Sequence, residues 1–251
     1  LDLSVGSVLA ATAVTAAFLS SAGVNLWVAY LAAIGLGTGL GALNAVFVVG
    51  LKVTPIISTL GTMNIARGIA YLITPSAILV GLPPEWSLLG TGNFFGIPSP
   101  TWFAIFFVVV FSWVLNRTIL GRHVYAIGGN EEAARLAGVD VSRTLFLLYT
   151  VTGLSVGVAA IVLSSRLGSG DPNIGIGFEF DVIVAVILGG TSLAGGVGRI
   201  SGTVIGALIV GFLSNGLNLV GVEPFWQYIA KGAALVVAVV LDRLAAREGT
   251  N

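Results

Sequence analysis

Long apolar runs separated by short polar breaks organise this chain. Eight such runs stand out, at about 5–22, 27–50, 54–73, 101–116, 144–165, 181–196, 200–220 and 226–242. A helix needs ~20 mostly apolar residues to cross the hydrocarbon core of a bilayer, and most of the runs reach that length. They are too long and too continuous for the roughly ten-residue alternation of a membrane β-barrel strand. The pattern therefore predicts an all-α polytopic membrane protein with about eight transmembrane or re-entrant helices. The sixth run, 181–196, is short and rich in glycine. It predicts either a full span or a re-entrant or broken helix, whose backbone must be satisfied by protein or by a cavity.

Small residues predict how the spans pack. Gly35, Gly37, Gly39 and Gly41 line one run, while Gly153–Gly157 and Gly198–Gly202–Gly206 keep a four-residue spacing. Such spacing lets helix backbones approach closely in lipid. No linker or fixed-period repeat interrupts the chain, which reads as a single membrane domain over 1–251.

Composition supports the bilayer as solvent. The chain is 56% hydrophobic and 9% charged, against about 25% charged residues in a soluble domain. Its net charge is zero, which leaves no basic surface for nucleic acid. It has no cysteine, so disulfides and thiolate chemistry are excluded. It starts LDLSVG, with neither a methionine nor a signal-type segment, and reads as a fragment lacking a natural N-terminal part.

Charge also sets orientation, because cytoplasmic loops near span ends collect Lys and Arg. If all eight spans cross, Lys52, Arg117, Arg122, Arg135, Arg143, Arg199, Arg243 and Arg247 fall on one side, eight of the eleven basic residues. Arg166 lies opposite, near Asp171, Glu179 and Asp181, while Arg67 and Lys231 lie within spans. Trp27, Trp102 and Trp226 start spans at the outer edge, Trp86 falls in the outer loop, and Trp113 falls toward an inner end. This agrees with the interfacial preference of tryptophan.

The stretch 121–143, GRHVYAIGGNEEAARLAGVDVSR, concentrates six charged residues on the side assigned to the cytoplasm. Asn130 is a suitable N-cap. Glu131 and Glu132 suit the positive end of a helix dipole, and Gly138 suits a C′ position. EEAARLA thus predicts a two-turn helix, too short to be stable alone. Ala133, Leu136 and Ala137 share one small, weakly apolar face. Locally the helix reads either as a docking element or as a solvated loop.

Several function classes lack their signatures. There is no G-x-x-x-x-G-K-[ST] phosphate loop and no G-x-G-x-x-G fingerprint. One histidine and no cysteine argue against a transition-metal site. Asp171, Glu179 and Asp181 form the one acidic cluster, read as a solvated outer loop rather than as paired catalytic acids.

Four stretches carry a resemblance: LDLSVGSVLA at 1–10, TPIISTLGTMNIARG at 54–68, GRHVYAIGGNEEAARLAGV at 121–139, and VILGGTSLAGGVGRISGTVIGALIVGFLSNGLNLVGV at 186–222. Along its whole length the chain resembles the permease subunits of bacterial ABC importers for monosaccharides, the ribose-type branch. Leu1 is a mild departure, since that motif usually opens with isoleucine. The resemblance implies a roughly ten-helix permease of the inner membrane, a non-enzyme without a cofactor of its own. It implies a second permease copy, in a homodimer or heterodimer. It also implies an ATP-binding subunit, which would hold ATP and Mg, and a periplasmic sugar-binding protein. The segment 117–143 then resembles the cytoplasmic coupling segment, with Gly129, Asn130, Glu131, Glu132, Ala133, Arg135, Leu136, Ala137 and Gly138 at its centre. The alternatives are a branched-chain amino acid permease, which would need charges for a zwitterion, or an ATP-independent channel or ion-coupled carrier.

Sugars need many neutral hydrogen bonds. The polar candidates are Ser4, Asn44, Ser58, Thr59, Thr62, Asn64, Asn215 and Asn218, though for any single one the favoured role is to join helix to helix. Ser58, Thr59, Thr62, Asn64 and Arg67 are expected to face the pathway, with Ser4 opposite. Thr59, Thr62 and Asn64 do not share one narrow stripe. Arg67 is either a pathway donor or a snorkelling side chain. The outer loops 74–100 and 166–181 are expected to receive the binding protein, through Arg166, Asp171 and Glu179.

Overall fold

The computed structural model describes residues 1–74 and 78–248, with side chains described except at Pro224, Ala238 and 241–248. Pro75, Ser76 and Ala77, part of the outer loop expected at 74–100, lie outside the described residues, as do the side chains of Arg243 and Arg247. The chain divides into two compact units, one of 1–105 with 142–179 and the other of 106–141 with 180–251.

In the first unit, α1 (Val5–Ser21) is the hub and buries 13 of its 17 residues. It is rich in Ala and Val on every side, so it has no polar face to show. Against it pack α2 (Leu26–Ala45), extended by a π-helical turn at Val46–Gly50, and α3 (Pro55–Ile73). Pro55 at the first turn of α3 costs no hydrogen bond there. The long α8 (Val141–Leu167) meets α2 through glycine on glycine. Gly37 lies against Gly153 and Gly157, and Gly41 against Tyr149 and Gly153, so the two helices run antiparallel. Gly35 and Gly39 have nothing within 4 Å of a Cβ built on them, so half of the expected glycine run makes the contact.

The region 78–98 is folded rather than a plain loop. It holds a 3-10 turn at Pro84–Ser87, α4 (Leu88–Thr91) and a hairpin of β1 (Asn93–Phe94) and β2 (Ile97–Pro98). Phe95 and Gly96 both have positive φ, the conformation of a two-residue hairpin turn that follows strand twist. Trp86, expected in the outer loop, lies in this folded region and is 1% exposed. Its indole N–H donates to the Ser164 carbonyl at 3.1 Å, its own carbonyl accepts from Tyr30 and Ser165, and its ring lies 5.2 Å from that of Tyr30. The reason is the glycine at 90, whose lack of a side chain lets α4 approach the backbone of Ser165 and Arg166.

The second unit contains most of α5 (Ser99–Arg117), then α6 (Ile119–Gly129), α7 (Glu131–Leu136), most of α9 (Phe178–Leu188), α10 (Ile200–Leu219) and α11 (Pro224–Glu248). Four of the helices already named, and α10, are long and apolar enough to cross a membrane among the described residues: α2 with its π-helical turn, α3, α5 and α8. The sixth apolar run forms a helix shorter than the hydrocarbon core is thick. Its helix has 11 residues, ~16 Å at 1.5 Å per residue, and ends in the glycine-rich loop 189–199. Gly202 and Gly206 bring α10 against Gly189 and Ala185 of this short element, whereas Gly198 lies in the loop beside Thr191.

Candidate functional site

In the first unit a polar cluster gathers where α1 starts. The Asp2 carboxylate accepts from the Ser4 backbone N–H at 2.8 Å and from the Ser4 hydroxyl at 2.6 Å. Asn44, fully buried on α2, donates to Ser4 Oγ at 3.0 Å and to Asp2 Oδ2 at 3.4 Å. Ser58, Thr59 and Thr62 are buried on α3, in line with Ala66 and Ala70 at helical spacing. Thr59 donates back to the Pro55 carbonyl. Thr12 Oγ1, Asn44 Oδ1, Ser58 Oγ and Thr62 Oγ1 are enclosed with no hydrogen-bond partner among the described residues. An enclosed polar group left unpaired costs about 1–3 kcal/mol, so α1, α2 and α3 hold polar capacity that packing alone does not use. Asn64 departs from this set, being exposed and bonded to the Leu60 carbonyl of its own helix. Asn215 is exposed on α10, and Asn218 accepts from Gln227 at 2.8 Å.

The stretch 166–181 differs most from its expectation as a solvated outer loop. Gly170 packs on Val14 and Ala17, and Gly175 packs on Gly6. The segment therefore runs along α1 for about three turns, ~16 Å. Pro172 and Ile174 are buried in it. Arg67 holds it in place, its Nη1 donating to the carbonyls of Pro172 at 2.5 Å and Ile174 at 3.2 Å. Tyr71 donates to Asn173 Oδ1 at 2.8 Å. The Arg67 Nη1 thus ends on protein carbonyls, on a side chain that is half-buried. Of the three residues expected to meet a binding protein, Arg166 is exposed. Asp171 is half-buried and accepts from the Asn173 N–H. Glu179 is half-buried with its carboxylate beside Gly6, where an added Cβ would come within 2.6 Å of Oε2. The physical reason is the glycines of GSGDPNIGIG, which let a backbone folded in successive turns lie on a helix. Their number was the available sequence signal.

In the second unit the 117–143 stretch forms two helices joined at Asn130. Thr118 caps α6, accepting from the Gly121 N–H; this helix was not read from the sequence, although Thr118 was its signal. The Asn130 side chain accepts from the Ala133 N–H at 2.9 Å, which starts α7 as expected. Gly138 has φ +85°, as a C′ glycine does. Ala134 is buried, while Ala133, Leu136 and Ala137 face outward, Leu136 at 86% exposure. Glu131 and Arg135 pair at 2.8 Å on the exposed side, worth about 0.3–0.5 kcal/mol in such a helix. A second ion pair joins Lys231 of α11 to Asp181 of α9 at 2.8 Å, both partly buried.

Residues 1–239 match the family described as branched-chain amino acid transport system / permease component. The chain is 44% identical to the L-arabinose transport system permease protein AraH of Escherichia coli (strain K12), over 96% of this chain and 74% of that protein. It is 44% identical to the ribose import permease protein RbsC of the same strain, over 96% of this chain and 77% of that protein. It is 37% identical to the D-allose transport system permease protein AlsC of that strain, over 97% of this chain and 75% of that protein. No solved structure matches the chain significantly.

Proposed function

Because the chain belongs to the family of branched-chain amino acid transport system permease components, we propose that it is the membrane subunit of an ABC importer for a monosaccharide. Both units then belong to one permease domain over 1–251, a multi-pass protein of the bacterial inner membrane, with 117–143 as its cytoplasmic coupling segment. ATP and Mg would be held by a partner ATPase that docks on the outward face of α7, at Ala133, Leu136 and Ala137. A periplasmic binding protein would deliver the sugar, and a second permease copy would complete the pathway.

The observation that carries the substrate class is 44% identity, over 96% of the chain, with permeases named for L-arabinose and ribose. The geometry supports it. A zwitterionic amino acid needs charged partners, yet both cations assigned to spans are engaged, Arg67 by main-chain carbonyls and Lys231 by Asp181. The neutral groups Ser4, Asn44, Ser58, Thr59 and Thr62 supply hydroxyl and amide chemistry suited to a sugar. We place Ser4, Ser58, Thr59 and Thr62 on the pathway. Asn64 and Arg67 would act there only through contacts other than those they make within the first unit.

The test is uptake in cells lacking endogenous sugar importers, with the chain co-expressed with an ABC ATPase and a sugar-binding protein. Labelled ribose or L-arabinose should accumulate in an ATP-dependent manner. Accumulation of leucine instead would favour the amino acid reading, and sugar uptake without the ATPase would favour a carrier or channel.

A further inference from the structure

We propose that the loop between α9 and α10 is the internal partner of the coupling segment, and that Tyr125, Gly128 and Gly195–Gly198 form a joint passing movement of α7 to α10. The inference rests on reading 117–143 as the ATPase-docking segment. It concerns contacts that the docking face does not include.

The chain of contacts begins at Asn130, which ends α6 and starts α7, so one residue fixes the angle between them. Immediately before it, α6 meets the loop main chain to main chain. A Cβ added at Gly128 would come within 2.5 Å of the Gly196 backbone N, and one added at Gly196 within 2.9 Å of Gly129 Cα. One added at Gly195 would strike the Gly128 carbonyl. One turn earlier, Tyr125 donates from its hydroxyl to the Gly198 carbonyl at 2.9 Å.

The loop is itself closed. Ser192 N–H donates to the Val197 carbonyl at 3.0 Å, and Gly195 N–H to the Ser192 carbonyl at 3.2 Å. Gly195 and Gly196 hold φ of +95° and +75°, which side chains disfavour. The loop then leads directly into α10 at Ile200, and Gly189 presses on Gly202 at the helix start.

Side chains absorb small displacements by changing rotamer, but touching backbones cannot. A shift at α7 therefore reaches α10 through rigid contacts rather than being lost in packing. Beside the joint lies a cavity of about 280 Å³, lined by Leu115, Tyr125, Thr191 and Thr203 among others. The link between α6 and the loop thus depends on glycine contacts and one hydroxyl, rather than on a shell of packed side chains.

The experiment uses the permease with its ATPase in proteoliposomes, with ribose and L-arabinose as transported probes. It reads ATPase co-purification, ATP hydrolysis, and sugar moved per ATP. Gly128→Ala and Tyr125→Phe should keep the ATPase bound and hydrolysing. Sugar moved per ATP should fall about tenfold in Gly128→Ala, within the fivefold to 150-fold range typical of coupling between sites. In Tyr125→Phe, which loses one hydrogen bond, it should fall about fivefold. Gly211→Ala, facing open space, is the control and should leave the ratio unchanged. If Gly128→Ala fails to accumulate, Tyr125→Phe decides alone. A wild-type ratio in Tyr125→Phe overturns the joint, as does loss of ATPase binding in step with transport. The docking reading fails separately, if Ala133→Glu still binds the ATPase, and the Tyr125→Phe ratio then still decides the joint.

Discussion

Arg67 reaches 105 residues along the chain to donate to the Pro172 carbonyl, and the same nitrogen bridges to Ile174. One side chain of α3 thereby pins a segment of turns against α1. Hydrogen bonds from a charged donor contribute about 1.5–3 kcal/mol, and no other charged donor is bonded to these two carbonyls among the described residues.

Arg67→Leu should therefore release the segment and lower stability by about 1.5–3 kcal/mol. Arg67→Lys should retain part of the hold, because an ammonium can still donate but loses the planar fork. The check is thermal unfolding in detergent, together with thiol labelling of Pro172→Cys. The chain has no cysteine of its own. Labelling should be slow with Arg67 present and fast in Arg67→Leu; equal rates in both would remove the pinning role.

The α2–α8 contact gives a paired test within one helix. Gly41→Ala should destabilise, because its new methyl meets the Tyr149 carbonyl and Gly153. The expected cost is about 1–3 kcal/mol, as for overpacking in general. Gly39→Ala, with open space around it, should be neutral or mildly stabilising. Detergent-solubilised melting temperatures decide; a larger loss at 39 than at 41 would contradict the glycine pairing.

Leu136 is an exposed large apolar side chain on a short helix whose other residues are Glu, Ala and Arg. Leu136→Asp should leave membrane insertion and melting temperature unchanged, since Leu136 is exposed among the described residues. ATPase co-purification should fall at least about tenfold, the cost of losing one buried apolar anchor. Unchanged co-purification would move the docking face elsewhere.

The Lys231–Asp181 pair distinguishes structural charges from substrate-reading ones. Lys231→Met alone leaves Asp181 without its cation and should cost stability, as should Asp181→Leu alone. The double change should recover most of the loss, because a partly buried pair gains little over apolar groups of similar size. A double-mutant cycle in melting temperature measures this. Sugar uptake that stays lost in a well-folded double variant would assign the pair a part in transport.

Much of the architecture is local and was legible as such. The apolar runs predicted helices at all eight places, five of them long and apolar enough to cross a membrane among the described residues, and Asn130 with Gly138 predicted the start and stop of α7. These rest on backbone hydrogen bonding and the apolar solvent, which act over a few residues. Tertiary structure decided what depends on distant partners. Gly37 and Gly41, rather than Gly35 and Gly39, face α8, because only one side of α2 meets another backbone. The same holds for Trp86, read as part of an outer loop and buried there by contacts with Tyr30, Ser164 and Ser165. It holds for 168–177, polar enough to read as loop, whose glycines allow it to lie on α1 under Arg67. Polarity reports how readily a residue accepts water, but whether water or protein satisfies its hydrogen bonds is settled only when the chain has packed.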